Sequence, residues 1–146
     1  MRLLEKLTPL ALLLLRVSLG IVFIYHGYPK LFTSAPQAAH FFVRAGFPSY
    51  FAYIAGAIEF FGGILLIVGL FTRFASLLIT CEMAVALWRV HQLQGGWLAV
   101  DNYEYPLVLA CACFALVALG AGIISLDHAI FRGGGKGKPA ARKPKA

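Results

Sequence analysis

The chain has 146 residues, of which 60% are apolar and only 13% charged, and its mean hydropathy is +0.80. These values exclude an ordinary water-soluble globular domain and predict a chain that faces mostly lipid. The net charge of +7 comes largely from residues 132–146, so it does not indicate a partner nucleic acid.

Four apolar runs are long enough to cross a hydrocarbon core of about 30 Å as helices, which takes roughly 20 residues. In chain order they are residues 7–28, 50–70, 74–90 and 105–126. They predict an all-α fold, a transmembrane four-helix bundle. A cleaved signal peptide is the competing interpretation of the first run, but apolar sequence continues to Ile24, which favours a retained helix.

Local signals predict where these helices begin and end. Thr8 followed by Pro9 suits an N-cap and a first helical position, because proline lacks an amide that would be unpaired there. Between helices one and two, a short segment is predicted to begin near Ser34, run to Arg44 and end at Gly46. Its aromatic residues place it at the membrane interface.

The basic residues near the C-terminus predict the orientation of the bundle. Six of them follow Asp127 without any acidic residue: Arg132, Lys136, Lys138, Arg142, Lys143 and Lys145. By the positive-inside rule the C-terminus is cytoplasmic in a cell inner (plasma) membrane, and an even number of spans returns the N-terminus to the same side. We expect a membrane domain over 1–131 and a disordered basic tail over 132–146, which either anchors the topology or contacts anionic lipid headgroups.

Three charged residues lie near the middle of separate apolar runs: Arg16, Glu59 and Glu82. A charge at the bilayer centre costs roughly 2.5 kcal/mol or more, so such a residue normally turns inward and is paired. Counting ~1.5 Å of rise per residue from each helix start places all three in one layer. We predict that Arg16 meets both acids and that one glutamic acid stays protonated, with Glu59 and Glu82 as catalytic candidates and Arg16 as a substrate-binding candidate. The alternative is that Arg16 only fixes the register of the helices.

A second polar group is predicted at the outer end of the bundle. His26 ends helix one, His91 ends helix three, and Glu104 with Tyr105 leads into helix four. Histidine titrates near neutrality and carboxylates accept protons, so this group can pass protons between the outer aqueous phase and the charged layer. His26, His91 and Glu104 are therefore substrate-binding candidates, and the alternative is that each is an ordinary interfacial polar residue.

Neither metal nor thiol chemistry is indicated. The four histidines are scattered without metal-ligand spacing within a span, so no metal site is predicted. Cys81, Cys111 and Cys113 lie within spans and form no Cys-x-x-Cys pair, and we expect them to be small apolar fillers. No motif for a covalently bound cofactor is present.

Several short motifs, in this order, give the chain a family resemblance. They are LRVSLG at 15–20, YHGYPKLF at 25–32, GFP at 46–48, EFFGG at 59–63, GLFTR at 69–73, YEYPL at 103–107, GAG at 120–122 and SLD at 125–127. With them the chain resembles the DoxX family of small four-span membrane proteins. The resemblance implies a quinone-linked or redox-associated protein of the inner membrane, with Arg16, His26, Glu59 and Glu104 on motif positions.

Taken with the charged layer, the resemblance implies a quinone-linked or redox-associated accessory subunit that binds a lipid-soluble substrate such as quinone near that layer; if it is redox-active, it acts as part of a quinone-linked oxidoreductase complex. Membrane lipids and a redox partner protein are the expected partners, because electron transfer needs a redox centre for which the sequence carries no motif. A carrier of a small solute or proton, and a non-catalytic membrane scaffold, remain as alternatives. Whether the protein forms a homo-oligomer, and whether it is an enzyme by itself, stays open.

Overall fold

A computed structural model describes residues 6–93 and 100–132, with side chains described over 6–89 and 103–131. Every element in these ranges is helical, which confirms the all-α prediction. The elements are α1 (Thr8–Tyr28), a π-helical turn (Pro29–Thr33), α2 (Ala35–Arg44), α3 (Phe51–Val68), α4 (Thr72–Leu93), α5 (Val100–Leu119) and a second π-helical turn (His128–Arg132). The predicted tail lies almost wholly outside the described residues.

Helix α1 begins at Thr8 as predicted, but the predicted N-cap is wrong. Leu7 occupies the cap position without a side-chain hydrogen bond, and Thr8 and Pro9 are already helical. The helix also does not stop at Tyr28. It continues through the π-helical turn, where the amide of Ser34 donates to the carbonyl of Pro29 at 2.7 Å, so the helical segment reaches Thr33.

The connection between α1 and α3 forms the predicted short helix, α2. Gly46 follows it with a φ of +83°, a left-handed conformation that favours glycine. The guanidinium of Arg89, on α4, donates to the carbonyl of Ala45 and stacks over the ring of Phe47 at 5.1 Å. The turn between α2 and α3 is thereby fixed to α4.

The last two predicted spans have the wrong boundaries. Helix α4 begins at Thr72 rather than at residue 74 and continues to Leu93. Helix α5 begins at Val100 and ends at Leu119, well before the predicted end at residue 126. The helix ends there because Gly120 and Gly122 both have a positive φ, +77° and +78°, so an apolar run continues without remaining helical.

Close glycine contacts join α1 to α3 in an antiparallel pair. A Cβ atom at Gly20 would lie 2.6 Å from the carbonyl oxygen of Gly63, and one at Gly27 would lie 2.8 Å from that of Gly56. These glycines therefore let the two backbones touch, as expected for membrane helices. Helix α4 packs mainly on α5 and also on α3, whereas α1 and α5 make few contacts with each other.

The bundle buries an apolar core and presents apolar side chains on its outside. Its fully buried core side chains include Phe23, Leu66, Ile79, Cys113 and Leu116. Large apolar residues such as Val108, Phe74 and Ile21 are more than half exposed. In the described residues, Thr8–Thr33 and Phe51–Val68 are long and apolar enough to cross a membrane, and Tyr103–Leu119 is apolar but shorter.

Candidate functional site

A buried ion pair between Lys30 and Glu59 is the centre of the candidate site. Nζ of Lys30 donates to Oε2 of Glu59 at 2.6 Å. The Glu59 side chain is only 4% exposed and that of Lys30 is 26% exposed, so the carboxylate is inside the bundle and the ammonium reaches it from the rim. Glu59 thus has the inward, paired position that the sequence predicted, with a different cation as its partner.

Glu82, on α4, joins this pair. Its carboxyl group lies near the pair, and both Glu59 and Lys30 act on it electrostatically. Oε2 of Glu82 is buried and has no hydrogen-bond partner among the described residues. The carboxyl groups from α3 and α4 thus act on each other near Lys30, and the catalytic role predicted for them stays a prediction.

His26 and Tyr105 lie beside the carboxyl pair and connect α1 with α5. Nε2 of His26 and the hydroxyl of Tyr105 are 3.1 Å apart, and the two ring centroids are 5.7 Å apart. The Tyr105 hydroxyl also interacts electrostatically with Glu59. We call these five residues, His26, Lys30, Glu59, Glu82 and Tyr105, the Lys30 cluster.

The π-helical turn after α1 explains how Lys30 reaches Glu59. Because the turn continues the helix past Tyr28, Lys30 follows Gly27 by about one turn on the same face. A Cβ atom at Gly56 would lie 2.9 Å from the Cβ of Lys30, so the glycine leaves room for the lysine stem against α3. π-Helical segments of this kind occur often at functional sites.

Arg16 belongs to a different group at the opposite end of the bundle. It is 1% exposed, and its Nη2 donates to the carbonyl of Ile124 at 2.5 Å. Asp127 acts on it electrostatically, and a Cβ atom at Gly69 would collide with Nη1 of the guanidinium. We call Arg16, Gly69, Ile124 and Asp127 the Arg16 cluster.

Asp127 connects this cluster to the start of α4. Its two carboxylate oxygens accept hydrogen bonds from the amides of Phe71 and Thr72, at 2.7 and 2.9 Å. Its own amide donates to the carbonyl of Gly69 at 2.8 Å. Asp127 therefore caps α4 from a segment that follows α5, and its negative charge acts electrostatically on Arg16.

The prediction that Arg16 meets Glu59 and Glu82 in one layer is wrong. Glu59 is level with Gly27, because a Cβ atom at Gly27 would lie 3.0 Å from the Cβ of Glu59. Arg16 precedes Gly27 by eleven residues, which at ~1.5 Å of rise puts it about 16 Å away along the axis. The depth count failed because α1 continues to Thr33, which moves α3 away from the Arg16 end.

The remaining predicted site residues are only partly located. His26 lies in the Lys30 cluster, and Glu104 is exposed on α5. The side chain of His91 lies outside the described side chains. Lys30 is the residue that the sequence reasoning missed, and the signal was present: it continues the buried stripe of Phe23 and Gly27 at helical spacing. Across the described residues, no three His, Cys, Asp or Glu side chains come close enough to hold a metal ion.

A family model for DoxX matches residues 11–92, more than half of the chain and from α1 to nearly the end of α4. The chain belongs to the DoxX family. A proposed oxidoreductase of Bacillus subtilis, CatD, is 35% identical to this DoxX protein over 129 residues, covering 88% of this chain and 93% of its own length. An uncharacterized protein of Haemophilus influenzae is 34% identical over 132 residues, covering 88% of this chain and 97% of its own.

An uncharacterized membrane protein of Mycobacterium tuberculosis is 32% identical over 139 residues, covering 87% of this chain and 85% of its own. No solved structure matches. These relatives establish a DoxX-family membrane protein, in agreement with the resemblance carried by the motifs.

Proposed function

We propose that this DoxX protein spans the plasma membrane with α1, α3, α4 and α5, keeps both termini in the cytoplasm, and binds the polar head of a lipid-soluble substrate at the Lys30 cluster. Quinone is the proposed substrate class, and the protein is an accessory subunit that works with a redox partner protein. The oxidoreductase name of CatD supports a redox role. The positive-inside distribution of the basic residues supports the orientation.

The Lys30–Glu59–Glu82 arrangement is the observation that carries this proposal. The Lys30 ammonium pairs with Glu59 and acts electrostatically on Glu82, and both acids belong to helices that pack in the bundle. A quinol releases protons when it is oxidised, and a carboxylate poised beside a second carboxyl group can accept one of them. Lys30 would stabilise the ionised form, and the electrons would pass to the partner protein.

The seam between α1 and α5 is the proposed route from the bilayer to this cluster. These two helices make few contacts with each other. Within the Lys30 cluster, His26 of α1 and Tyr105 of α5 form a side-chain hydrogen bond, and at the opposite end Arg16 of α1 donates to the carbonyl of Ile124, just beyond α5. A substrate head entering from lipid would meet the imidazole and the phenol first and the carboxyl pair behind them.

Titration of the purified protein with a reduced quinone tests the proposal. We expect the quinol to raise the thermal stability of the wild-type protein, and Glu59→Gln to lower the apparent affinity at least tenfold while the protein still inserts and folds. Glu104→Gln is the matched control, because it removes an exposed carboxylate and is expected to behave as wild type. Tyr105→Phe should weaken quinol binding without unfolding the protein.

The same experiment separates the alternatives. Proton flux through protein-containing vesicles in the absence of quinone would favour a carrier over the accessory subunit. A wild-type response of Glu59→Gln in both assays would discard the role proposed for Glu59, and the absence of both quinol-dependent stabilisation and proton flux in the wild-type protein would leave only the scaffold. Equal loss of quinol binding in Glu59→Gln and Glu104→Gln would also contradict the proposal, because it would show an effect of surface charge rather than of the buried site.

A further inference from the structure

A second candidate binding site lies at the opposite end of the bundle, away from the Lys30 cluster. It is a surface cavity of about 470 Å³ beside the start of α4 and the end of α5. Its lining includes Phe71, Arg73, Phe74, Leu119, His128 and Phe131. Nothing in the proposed function uses this cavity, and no relative's name assigns a role to it.

The charged groups facing this cavity favour an anion. Arg73 and His128 line it together with one acid, Asp127. Both carboxylate oxygens of Asp127 already accept backbone amides, and Arg16 acts on that carboxylate from the interior side. The guanidinium of Arg73 remains at the surface, and its Nε lies 3.1 Å from the position that a Cβ of Gly120 would take. The backbone of Gly120 therefore provides the flat surface on which the guanidinium rests.

The rest of the wall is apolar and aromatic. The rings of Phe71 and Phe131 have centroids 6.0 Å apart, and Phe74 and Phe131 are 60% and 62% exposed. The cavity is thus amphipathic, with a cation at one side and exposed apolar surface at the other. A fully hydrated inorganic anion would gain nothing from such walls, whereas a lipid carries phosphate and hydrocarbon in one molecule.

Along the axis of the bundle, the cavity lies at the level expected for lipid phosphates. Helix α3 ends at Val68, α4 begins at Thr72 and α5 ends at Leu119, so three long helices terminate at this level. Helix ends of a membrane bundle lie near the boundary between hydrocarbon and headgroups. Arginine at this boundary pairs with phosphate in a bidentate geometry that lysine cannot reproduce.

We infer that this cavity binds one anionic phospholipid, with Arg73 paired to its phosphate and Phe74 and Phe131 in contact with the first carbons of its acyl chains. His128 adds a hydrogen-bond partner for the headgroup. This inference does not depend on quinone binding at the Lys30 cluster, which lies at the other end of the bundle. It makes a short-chain phosphatidylglycerol the appropriate probe.

The full chain in mild detergent is titrated with dioctanoyl phosphatidylglycerol, and the midpoint of its thermal stabilisation is measured. We expect Arg73→Gln to shift this midpoint to about fivefold higher lipid concentration, the effect of one basic residue at a lipid surface. Arg73→Lys should recover part of the lipid affinity that Arg73→Gln loses, and this recovery would show that the site still folds when Arg73 is replaced. Arg44→Gln, which removes an exposed arginine at the other end of the bundle, should leave the midpoint unchanged.

Dioctanoyl phosphatidylcholine and glycerol 3-phosphate complete the test. Weaker stabilisation by both than by phosphatidylglycerol supports an anionic lipid site. Equal stabilisation by glycerol 3-phosphate would show a soluble phosphate site and overturn the lipid assignment. Equal effects of Arg73→Gln and Arg44→Gln, or no effect of either, would overturn the site itself, because binding would then depend only on net charge or on other surfaces.

Discussion

Lys30 and Glu59 form a 2.6 Å ion pair that joins the extension of α1 to the interior face of α3. The pair replaces the Arg16–Glu59 contact that the positions of the charges in the sequence had suggested. Arg16 instead interacts with Asp127 and the Ile124 carbonyl, about 16 Å away along α1 by its rise of ~1.5 Å per residue. Each buried charge of α1 and α3 thus has its own local partner.

Double-mutant cycles should distinguish these two pairings. We expect Lys30→Met to cost about 2 kcal/mol of unfolding free energy, less than a fully buried pair because Lys30 is partly exposed, and to couple to Glu59→Gln by about 1 kcal/mol or more. Arg16→Met and Glu59→Gln should be additive within about 0.5 kcal/mol. The measurement is reversible unfolding in detergent. Strong coupling between Arg16 and Glu59 would contradict the structure.

The cap on α4 depends on a residue that follows α5. Asp127→Ala should lower the unfolding free energy by more than about 2 kcal/mol. It removes the two carboxylate oxygens that accept hydrogen bonds from the amides of Phe71 and Thr72, and it also removes the negative charge that acts on Arg16. Asp127→Asn should cost less, since its side-chain oxygen still caps one amide. Hydrogen exchange of the Phe71 and Thr72 amides reports the loss directly, and unchanged protection in Asp127→Ala would exclude the cap.

Substitution by alanine should lower the stability by different amounts at two glycines on neighbouring helices, Gly27 on α1 and Gly62 on α3. A Cβ at Gly27 meets backbone, 2.5 Å from the Phe60 nitrogen, so Gly27→Ala must separate α1 from α3. A Cβ at Gly62 meets the end of the flexible Ile79 side chain at 2.9 Å, which can move. We expect Gly27→Ala to cost at least about 2 kcal/mol and Gly62→Ala less than about 1 kcal/mol. Equal costs in thermal unfolding would contradict the close backbone contact.

The three cysteines separate into two kinds. Cys113 is fully buried, whereas Cys81 and Cys111 are exposed on the outside of the bundle. We expect the double variant Cys81→Ala/Cys111→Ala to keep wild-type stability and quinol binding, and Cys113→Ala to cost about 1 kcal/mol by leaving a small cavity. Loss of quinol binding in the folded double variant would show that the exposed thiols have a chemical role.

The sequence predicts well which side chains face the interior of the bundle, because this depends on helical periodicity. Arg16, Gly20, Phe23 and Gly27 share a stripe that the structure buries, and Gly56, Glu59 and Gly63 share the facing one. Helix phase repeats within a few residues, so it survives small errors in the boundaries. The inward position of Glu59 follows from this phase alone.

The depth of a residue along its helix was less predictable from the sequence, because an error in a helix boundary shifts the depth of every residue that is counted from that boundary. The π-helical turn after Tyr28 lengthens α1, and the glycines at 120 and 122 shorten α5. Neither change alters the apolar pattern from which the spans were predicted. The electrostatic interaction of Arg16 with Asp127 was missed for the same reason, since Asp127 was expected beyond the end of a fourth span rather than folded back against the start of α4.

The hydrogen bonds between Asp127 and the α3–α4 turn also constrain the order in which the chain inserts and folds during synthesis. Residues 124–127 leave the ribosome more than a hundred residues after Arg16, so in the proposed topology the first helix would enter the bilayer before its guanidinium has either the Ile124 carbonyl or the Asp127 carboxylate. Until then, that arginine must stay near headgroups or inside the insertion machinery. Helix α1 can therefore reach its final depth only after α5 and the segment that follows it have been synthesised.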